Sequence, residues 1–244
     1  MSGFVHLHTH TTWSLRDGAI PAEALPHLAR QLGYDSVAMT DHDALTGAVR
    51  FARGCRAAGV KPIYGAELTV EPAATDPRRK TERGSVSDRR EPERSGGGGR
   101  RGSVRRPATH VTVIARDRKG YGNLCRLISA SHLGNERGEP SLTMAAIAER
   151  AEGLFVLSGC ERGEVARLAA AGLLPDAVAA ARRWRDAIGD GYRIEVFDHR
   201  TYGSRMLRDR LLRIAHETEI PPVATNDVHY ATPGDAGVHE LLNA

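Results

Sequence analysis

The chain has 244 residues and is 41% hydrophobic, enough for one large domain or two small ones with a full core. No apolar run reaches ~18 residues and no basic-then-apolar leader opens the chain, which argues against a membrane-spanning helix and a signal peptide. The net charge of +4 is local: residues 72–107 carry eleven Arg or Lys against five Asp or Glu, a balance of +6 that leaves −2 for the rest. The high pI therefore gives no basic-patch argument for nucleic acid. Cys55, Cys125 and Cys160 are odd in number and widely spaced, which fits a reducing cytoplasm better than a disulfide framework.

Phe4–His10 reads as the first strand. Alternation would put His6, His8 and His10 on one face, with Val5, Leu7 and Thr9 on the other. Three imidazoles on one face build a poor core and a good metal site; the plain alternative is a polar edge strand. Pro21–Leu32 is expected to be a helix, stopped by Gly33. Ser36–Thr40 is a second strand running into Asp41-His42-Asp43. Gly47–Ala58 is a helix, and Lys61–Val70 a third strand that carries Glu67. Residues 72–107, rich in Arg and Gly, cannot bury apolar surface and are read as an exposed, disordered insertion; residues 1–71 and 108–244 would form one domain. Thr109–Ala115 is the fourth strand, followed by helices over Gly122–Leu133 and Ser141–Ala151. Gly153–Cys160 is the fifth strand, with helices over Gly163–Ala171 and Pro175–Ile188 after it. Tyr192–Phe197 is the sixth strand and Ser204–Thr218 a long helix. Pro222–Thr225 is the seventh strand, and Val238–Asn243 begins a last helix.

Seven strands alternating with helices predict an α/β fold with a parallel sheet, closed as a (β/α) barrel; an open doubly wound sheet is the alternative. Ligand-type residues collect at the strand ends: His8, His10, Asp17, His42, Glu67, His110, Cys160, Asp227 and His229. Each alone has an ordinary reading as a turn, cap or loop residue. Together, at the ends of six strands, they form a metal-ligand set. Nine ligands are too many for one ion and suit three that share carboxylates. Three carboxylates and a thiolate against three divalent ions leave a positive site that attracts phosphate oxygens. Metal-bound hydroxide is then the nucleophile, with no side-chain nucleophile assigned. Zinc or manganese would fit, with iron or magnesium as alternatives. His6 is read as a barrel-floor residue. His27, His132, His216 and His239 sit on helices as surface or packing residues. His199 and Arg200, after the sixth strand, are possible phosphate contacts or a solvated loop.

His-Leu-His-Thr-His with Asp17-Gly, Thr-Asp-His42, Gly-Ala-Glu67, His110-Val-Thr-Val, Leu-Ser-Gly-Cys160 and Asn-Asp227-Val-His229-Tyr resemble the polymerase and histidinol phosphatase (PHP) domain. The match is nearer to the version at the N-terminus of bacterial DNA polymerase III alpha subunits, of the error-prone DnaE type. Asp41-His-Asp-Ala-Leu-Thr-Gly and Gly120-Tyr-Gly-Asn-Leu124 add to it. The resemblance implies a distorted seven-stranded (β/α) barrel with a trinuclear site. Its first metal would take His8, His10, Glu67 and Asp227. The second would share Glu67 and take His110 and Cys160. The third would take Asp17, His42 and His229. It also implies a cytoplasmic metal-dependent 3′–5′ exonuclease that acts on a DNA 3′ end beside the polymerase body and replication or mutasome subunits. Two departures stand out: the long insertion at 72–107, and a chain that stops at Ala244 where a polymerase palm would follow. A phosphatase on small phosphomonoesters and a non-catalytic structural domain are the competing readings.

Overall fold

The computed structural model describes residues 3–72, 108–242 and 244. Among them six strands form one curled, mixed sheet in sequence order: β1 (Ser36–Met39), β2 (Lys61–Val70), β3 (Thr109–Ala115), β4 (Leu154–Leu157), β5 (Tyr192–Val196) and β6 (Pro222–Ala224). The count is six, not the seven expected. Eight α-helices lie among the described residues: α1 (Leu25–Gln31), α2 (Ala48–Ala58), α3 (Arg118–Leu133), α4 (Met144–Ala148), α5 (Glu164–Ala170), α6 (Leu174–Ile188), α7 (Ser204–Thr218) and α8 (Ala236–Leu242). The expected insertion at 72–107 lies almost wholly outside the described residues.

The sequence that fails to become a regular strand is the first one. Ala38 N–H donates to His6 O and Thr40 N–H to Thr9 O. Between those bonds β1 advances two residues and the N-terminal stretch three. One extra residue therefore breaks the ladder, as at a β-bulge. The Thr40 hydroxyl mends the gap by accepting from Thr9 N–H at 2.8 Å. On its other side the stretch bonds to the residues after β6, through Val228 N–H to His8 O and His10 N–H to Val228 O. Residues 6–10 thus join the two edges of the curled sheet.

The bulge also corrects the side-chain phase. His8 and His10 point inward and are buried, but His6 does not share their face. His6 packs edge-on against Phe4 and Tyr34, beside Leu25 and Leu28 of α1. Leu7 takes the place at the floor of the sheet, next to Ile63, Ile114 and Val223.

The expectation of a parallel sheet is also corrected. β3 runs antiparallel to both β2 and β4, while the other pairs are parallel. Antiparallel neighbours need no crossover helix, and Val70 at the end of β2 lies directly opposite Thr109 at the start of β3. The inversion determines where His110 lies. His110, second in its strand, sits at the end of the sheet where the other strands finish, opposite Thr69 and two positions along from the Glu67–Thr112 pair.

Helix ends follow local chemistry. Gly59 adopts φ 66° and its N–H closes α2 on Cys55 O. α3 begins four residues before its expected start because Asp117 caps it, accepting from Gly120 N–H at 2.8 Å. The α3 entry is tight: a Cβ on Gly120 would meet Gly153 O at 1.8 Å. A larger core lies under α3 to α7, with Leu124, Leu127, Ile147, Ile194 and Leu211 fully buried. A smaller one joins α1, α2 and β1 around Phe51 and Met39. Each such side chain contributes ~1.5–3 kcal/mol on burial.

Candidate metal centre

All nine expected ligand residues meet at one end of the sheet. His8 and His10 come from the bulged N-terminal stretch, Asp17 and His42 from loops, Glu67 from β2 and His110 from β3. Cys160 follows β4, and Asp227 and His229 follow β6. Gly18 lets the Asp17 loop lie against the N-terminal stretch, since a Cβ there would sit 2.0 Å from Thr11 O. Asp227 itself is held at φ 44°, a left-handed conformation that Asp tolerates better than most residues.

The imidazole orientations are fixed from behind. His8 Nδ1 donates to Glu195 Oε1 at 2.7 Å, and Glu195 also accepts from the hydroxyls of Thr225 and Thr112 at 2.7 and 3.1 Å. Ser14 donates its proton to Asp41, so its oxygen accepts from His10 Nδ1 at 2.8 Å. His229 Nδ1 donates to Asp227 O at 2.9 Å. With Nδ1 occupied in each case, all three rings turn Nε2 into the centre. This is the arrangement that second-layer carboxylates and carbonyls impose on metal-binding histidines.

The inward atoms have metal-shell spacing. His8 Nε2 and His10 Nε2 are 3.1 Å apart, and each is 3.4 Å from Asp227 Oδ1. Ligand atoms of a tetrahedral shell with ~2.0–2.1 Å bonds lie about 3.3–3.4 Å apart. Glu67 sits in the middle: its carboxylate oxygens are 2.7 Å from His42 Nδ1, 3.0 Å from His110 Nδ1 and 3.1 Å from Cys160 Sγ. His8 and His10 are 3.6 and 3.9 Å from it. Asp17 Oδ2 lies between His42 Nε2 at 2.7 Å and His229 Nε2 at 3.1 Å. Asp227 Oδ1 and His110 Nδ1 are buried without a well-directed hydrogen bond. Buried polar atoms rarely go unpaired unless something else satisfies them. Four overlapping groups result: His8–His10–Asp227, His10–Asp17–His229, His10–His42–Glu67 and Glu67–His110–Cys160. The donor set is compatible with bound metal.

Electrostatics divide the set. Burial works against charge on His8, but Asp227, Glu195 and Glu67 outweigh it and raise His8 to about 10. His42 is likewise raised to about 10, by Asp17 and Glu67 against its own burial. His10 is pushed down by burial. Asp17, Glu67 and Asp227 are held well below the usual carboxylate range by the surrounding histidines, despite burial. Burial, with Glu67 and Asp227 nearby, pushes the Cys160 thiol well up. A thiol in that state becomes a ligand only when an incoming cation displaces its proton.

His199 and Arg200 do not join the nine. His199 stacks on Phe197, and Arg200 N–H donates to the Asp198 carboxylate. Three contributors were not among the expected site residues. Glu195 lies in Tyr-Arg-Ile-Glu-Val, where alternation reads as a solvated face; here the polar face looks into the lumen. The Asp41–Ser14 pair had no spacing signal. His239, read as a helix surface or packing residue, packs on the His229 ring and also donates from Nδ1 to Asp17 O at 2.8 Å. Beside the centre opens a cavity of about 1250 Å³ that reaches His42, with Trp13, His132, Asp43, Glu71 and Glu139 in its walls.

Comparison with known proteins agrees with this geometry. The PHP domain family model matches residues 6–199. The chain is 39% identical over 245 residues to DNA polymerase III subunit alpha of Mycobacterium tuberculosis. It is 34% identical over 255 residues to an error-prone DNA polymerase of Symbiobacterium thermophilum. In each case the alignment takes in 98–99% of this chain but only 20% of the relative, so the chain spans about a fifth of their length. Among solved structures, a protein of Bifidobacterium adolescentis described as a candidate metal-dependent phosphoesterase superposes with TM-score 0.54 at 14% identity, covering 94% of this chain and 89% of that one. A Chromobacterium violaceum amidohydrolase gives 0.56 at 13% identity, covering 95% and 88%. At that identity the likeness is one of fold. With the family model matched across most of the described residues, and with its histidine, carboxylate and cysteine motifs gathered at one end of the sheet, this chain belongs to the PHP domain family.

Proposed function

We propose that the chain is a metal-dependent phosphoesterase of the DNA polymerase III alpha type, a 3′–5′ exonuclease that hydrolyses the terminal phosphodiester of a DNA 3′ end. The observation that carries this reading is Glu67, one buried carboxylate within 3.9 Å of four histidine rings and within 3.1 Å of a thiol. Such a residue suits a shared ligand. His8, His10, Glu67 and Asp227 would hold one divalent ion, Glu67, His110 and Cys160 a second, and Asp17, His42 and His229 a third. Zinc or manganese fits these donors, with iron or magnesium as alternatives. Bound ions would supply Lewis acidity, drawing the pKa of water toward neutrality and steadying charge on phosphoryl oxygens.

The chain's own residues do the positioning. Glu195, Ser14 and the Asp227 carbonyl hold three imidazoles in the orientation that receives cations. Three divalent ions would outweigh three carboxylates and a thiolate, so the site when loaded would attract a phosphate. His199 and Arg200, on the loop after β5 at the same end of the sheet, are proposed as phosphate contacts. The identity with replicative and error-prone polymerases supports a DNA substrate, a polymerase body and replication subunits as partners, and a cytoplasmic setting.

A second reading, hydrolysis of small phosphomonoesters, draws on the cavity beside His42. Its described lining contains carboxylates and no Lys or Arg, which suits a compact substrate better than a polyanionic strand. One experiment separates the readings: incubate a 5′-labelled DNA primer, and separately p-nitrophenyl phosphate, with protein loaded with zinc or manganese. Stepwise shortening from the 3′ end, lost at least ~100-fold in Asp227→Asn and His10→Ala, is expected. Cleavage of the small ester alone favours the second reading. If neither is cleaved while metal removal still lowers the Tm, the centre is structural.

A further inference from the structure

The other end of the sheet's lumen holds a second cavity, of about 950 Å³. Its floor is apolar, made by Leu7, Ile63, Ile114, Phe155, Leu157 and Val223. Its upper walls are cationic: Arg53 and Arg56 of α2, Lys61, Arg116, Arg118 and Arg193. The single carboxylate in the lining is Asp117, already engaged as the cap of α3. None of the six cations forms an ion pair among the described residues. Composition does not explain this surplus, because the chain outside residues 72–107 carries a net −2.

Two of the cations are gathered on one ring. The Arg116 and Arg193 guanidinium carbons lie 4.6 and 5.1 Å from the centroid of Phe155. Arg193 is steadied there by the carbonyls of Asp190 and Tyr192, neither of which cancels its charge. Tyr64 and Tyr121, meeting edge to face at 5.5 Å, complete an aromatic wall. The volume is that of a small-molecule pocket. A ligand that fits has a flat, weakly polar body and at least two negative charges. A monocarboxylate would answer one cation and leave the others facing one another.

We propose that this cavity binds a nucleoside polyphosphate, with the base among Tyr64, Tyr121 and Phe155 and the phosphates across Arg116, Arg193 and the two arginines of α2. The site is separate from the metal centre. On β3, His110 faces one end of the lumen and Ile114 the other, about 13 Å along the strand. The proposal does not depend on the hydrolytic reading.

The test is calorimetric titration of the full chain, stripped of metal by chelator, with dATP as probe. Saturable one-to-one binding is expected. It should weaken at least tenfold in Arg116→Glu and in Arg56→Glu, two exposed positions where folding is checked by circular dichroism. Asp227→Asn should leave it unchanged. Adenosine and pyrophosphate should each bind more weakly than dATP. The proposal is overturned if dATP does not bind, or if Asp227→Asn abolishes binding while both arginine variants retain it, which would place the nucleotide at the metal centre. Pyrophosphate binding as tightly as dATP would also overturn it, because the apolar floor would then contribute nothing.

Discussion

Glu195 does for His8 what Ser14, backed by Asp41, does for His10: it accepts the hydrogen bond from Nδ1 so that Nε2 faces inward. Glu195→Gln keeps the shape and removes the charge. Metal affinity is expected to fall ~10–100-fold, the usual effect of losing such a partner, as read by competition with a chromogenic chelator. Unchanged affinity would reduce Glu195 to a packing role. The same carboxylates set a pH dependence. In metal-free protein His8 and His42 are raised from 6.5 to about 10. Their contribution to stability is full below pH 6.5 and is lost as pH rises through about 10. Asp17, Glu67 and Asp227 are depressed, so their contribution is full above the ordinary carboxylate range and is lost in acid. Chelated protein should therefore be most stable at ~4.5–6.5, with a Tm that falls from pH 7 to 10. Metal needs neutral imidazoles and a thiolate, so loading releases protons and the gap between loaded and chelated Tm should widen over that interval. Scanning fluorimetry with and without EDTA checks the sign; a gap that narrows with pH contradicts it. At this scale the sequence was informative where residue type alone signals a ligand. His10 and Asp227 are unusual choices for a core. Glu195 was hidden because Arg193 and Glu195 alternate with Ile194 and Val196 as they would on a solvent face.

Elements were legible in existence and less so in phase and direction. Helix α7 matches its expected limits, and α2 and α6 begin within one residue of theirs. α3 was read short because Arg118–Tyr121 lack apolar periodicity; the Asp117 cap, not the pattern, sets its start. Asp117→Ala should cost ~0.5–2 kcal/mol in urea denaturation, since it frees Gly120 N–H at the helix entry. A change within experimental error would show that Gly120 finds water instead. Neither the bulge at residues 6–9 nor the inversion of β3 leaves a mark in local sequence. The first carries no Gly or Pro, and strand direction depends on where the neighbouring strands end, not on the strand's own residues. Yet both shape the candidate site. The bulge swaps His6 for Leu7 at the floor, and the inversion delivers His110 to the metal end.

Across the whole molecule, the lumen is layered: metal-type residues at one end, a buried polar layer with Glu195 and Thr112 beneath, and the cationic, apolar-floored cavity at the other. α/β architecture and the end of the sheet that carries the site could be read from the order of elements. A closed parallel ring of seven could not, because closure relies on residues 6–10 and one strand is reversed. The pairing of Val70 with Thr109 makes a further prediction. Replacing residues 74–106 with a short Gly-Ser turn should leave the far-ultraviolet spectrum and metal content unchanged. The Tm should hold or rise by a degree or two, because a shorter loop costs less to close. Loss of folding would show that the segment supports the domain.

The bonds that tie His8 and His10 to Val228 join residues more than two hundred positions apart in the sequence. A growing chain meets this as a delay. The ribosome adds ~5–20 residues per second, so the first histidines emerge at least about ten seconds before Asp227 and His229 exist to face them. During that interval the helices and local sheet pairs can form, but a nascent chain that has not reached His229 cannot assemble the complete set of donors. The candidate donor set is thus completed only when His229 has been added, and a translation product shorter than that lacks it.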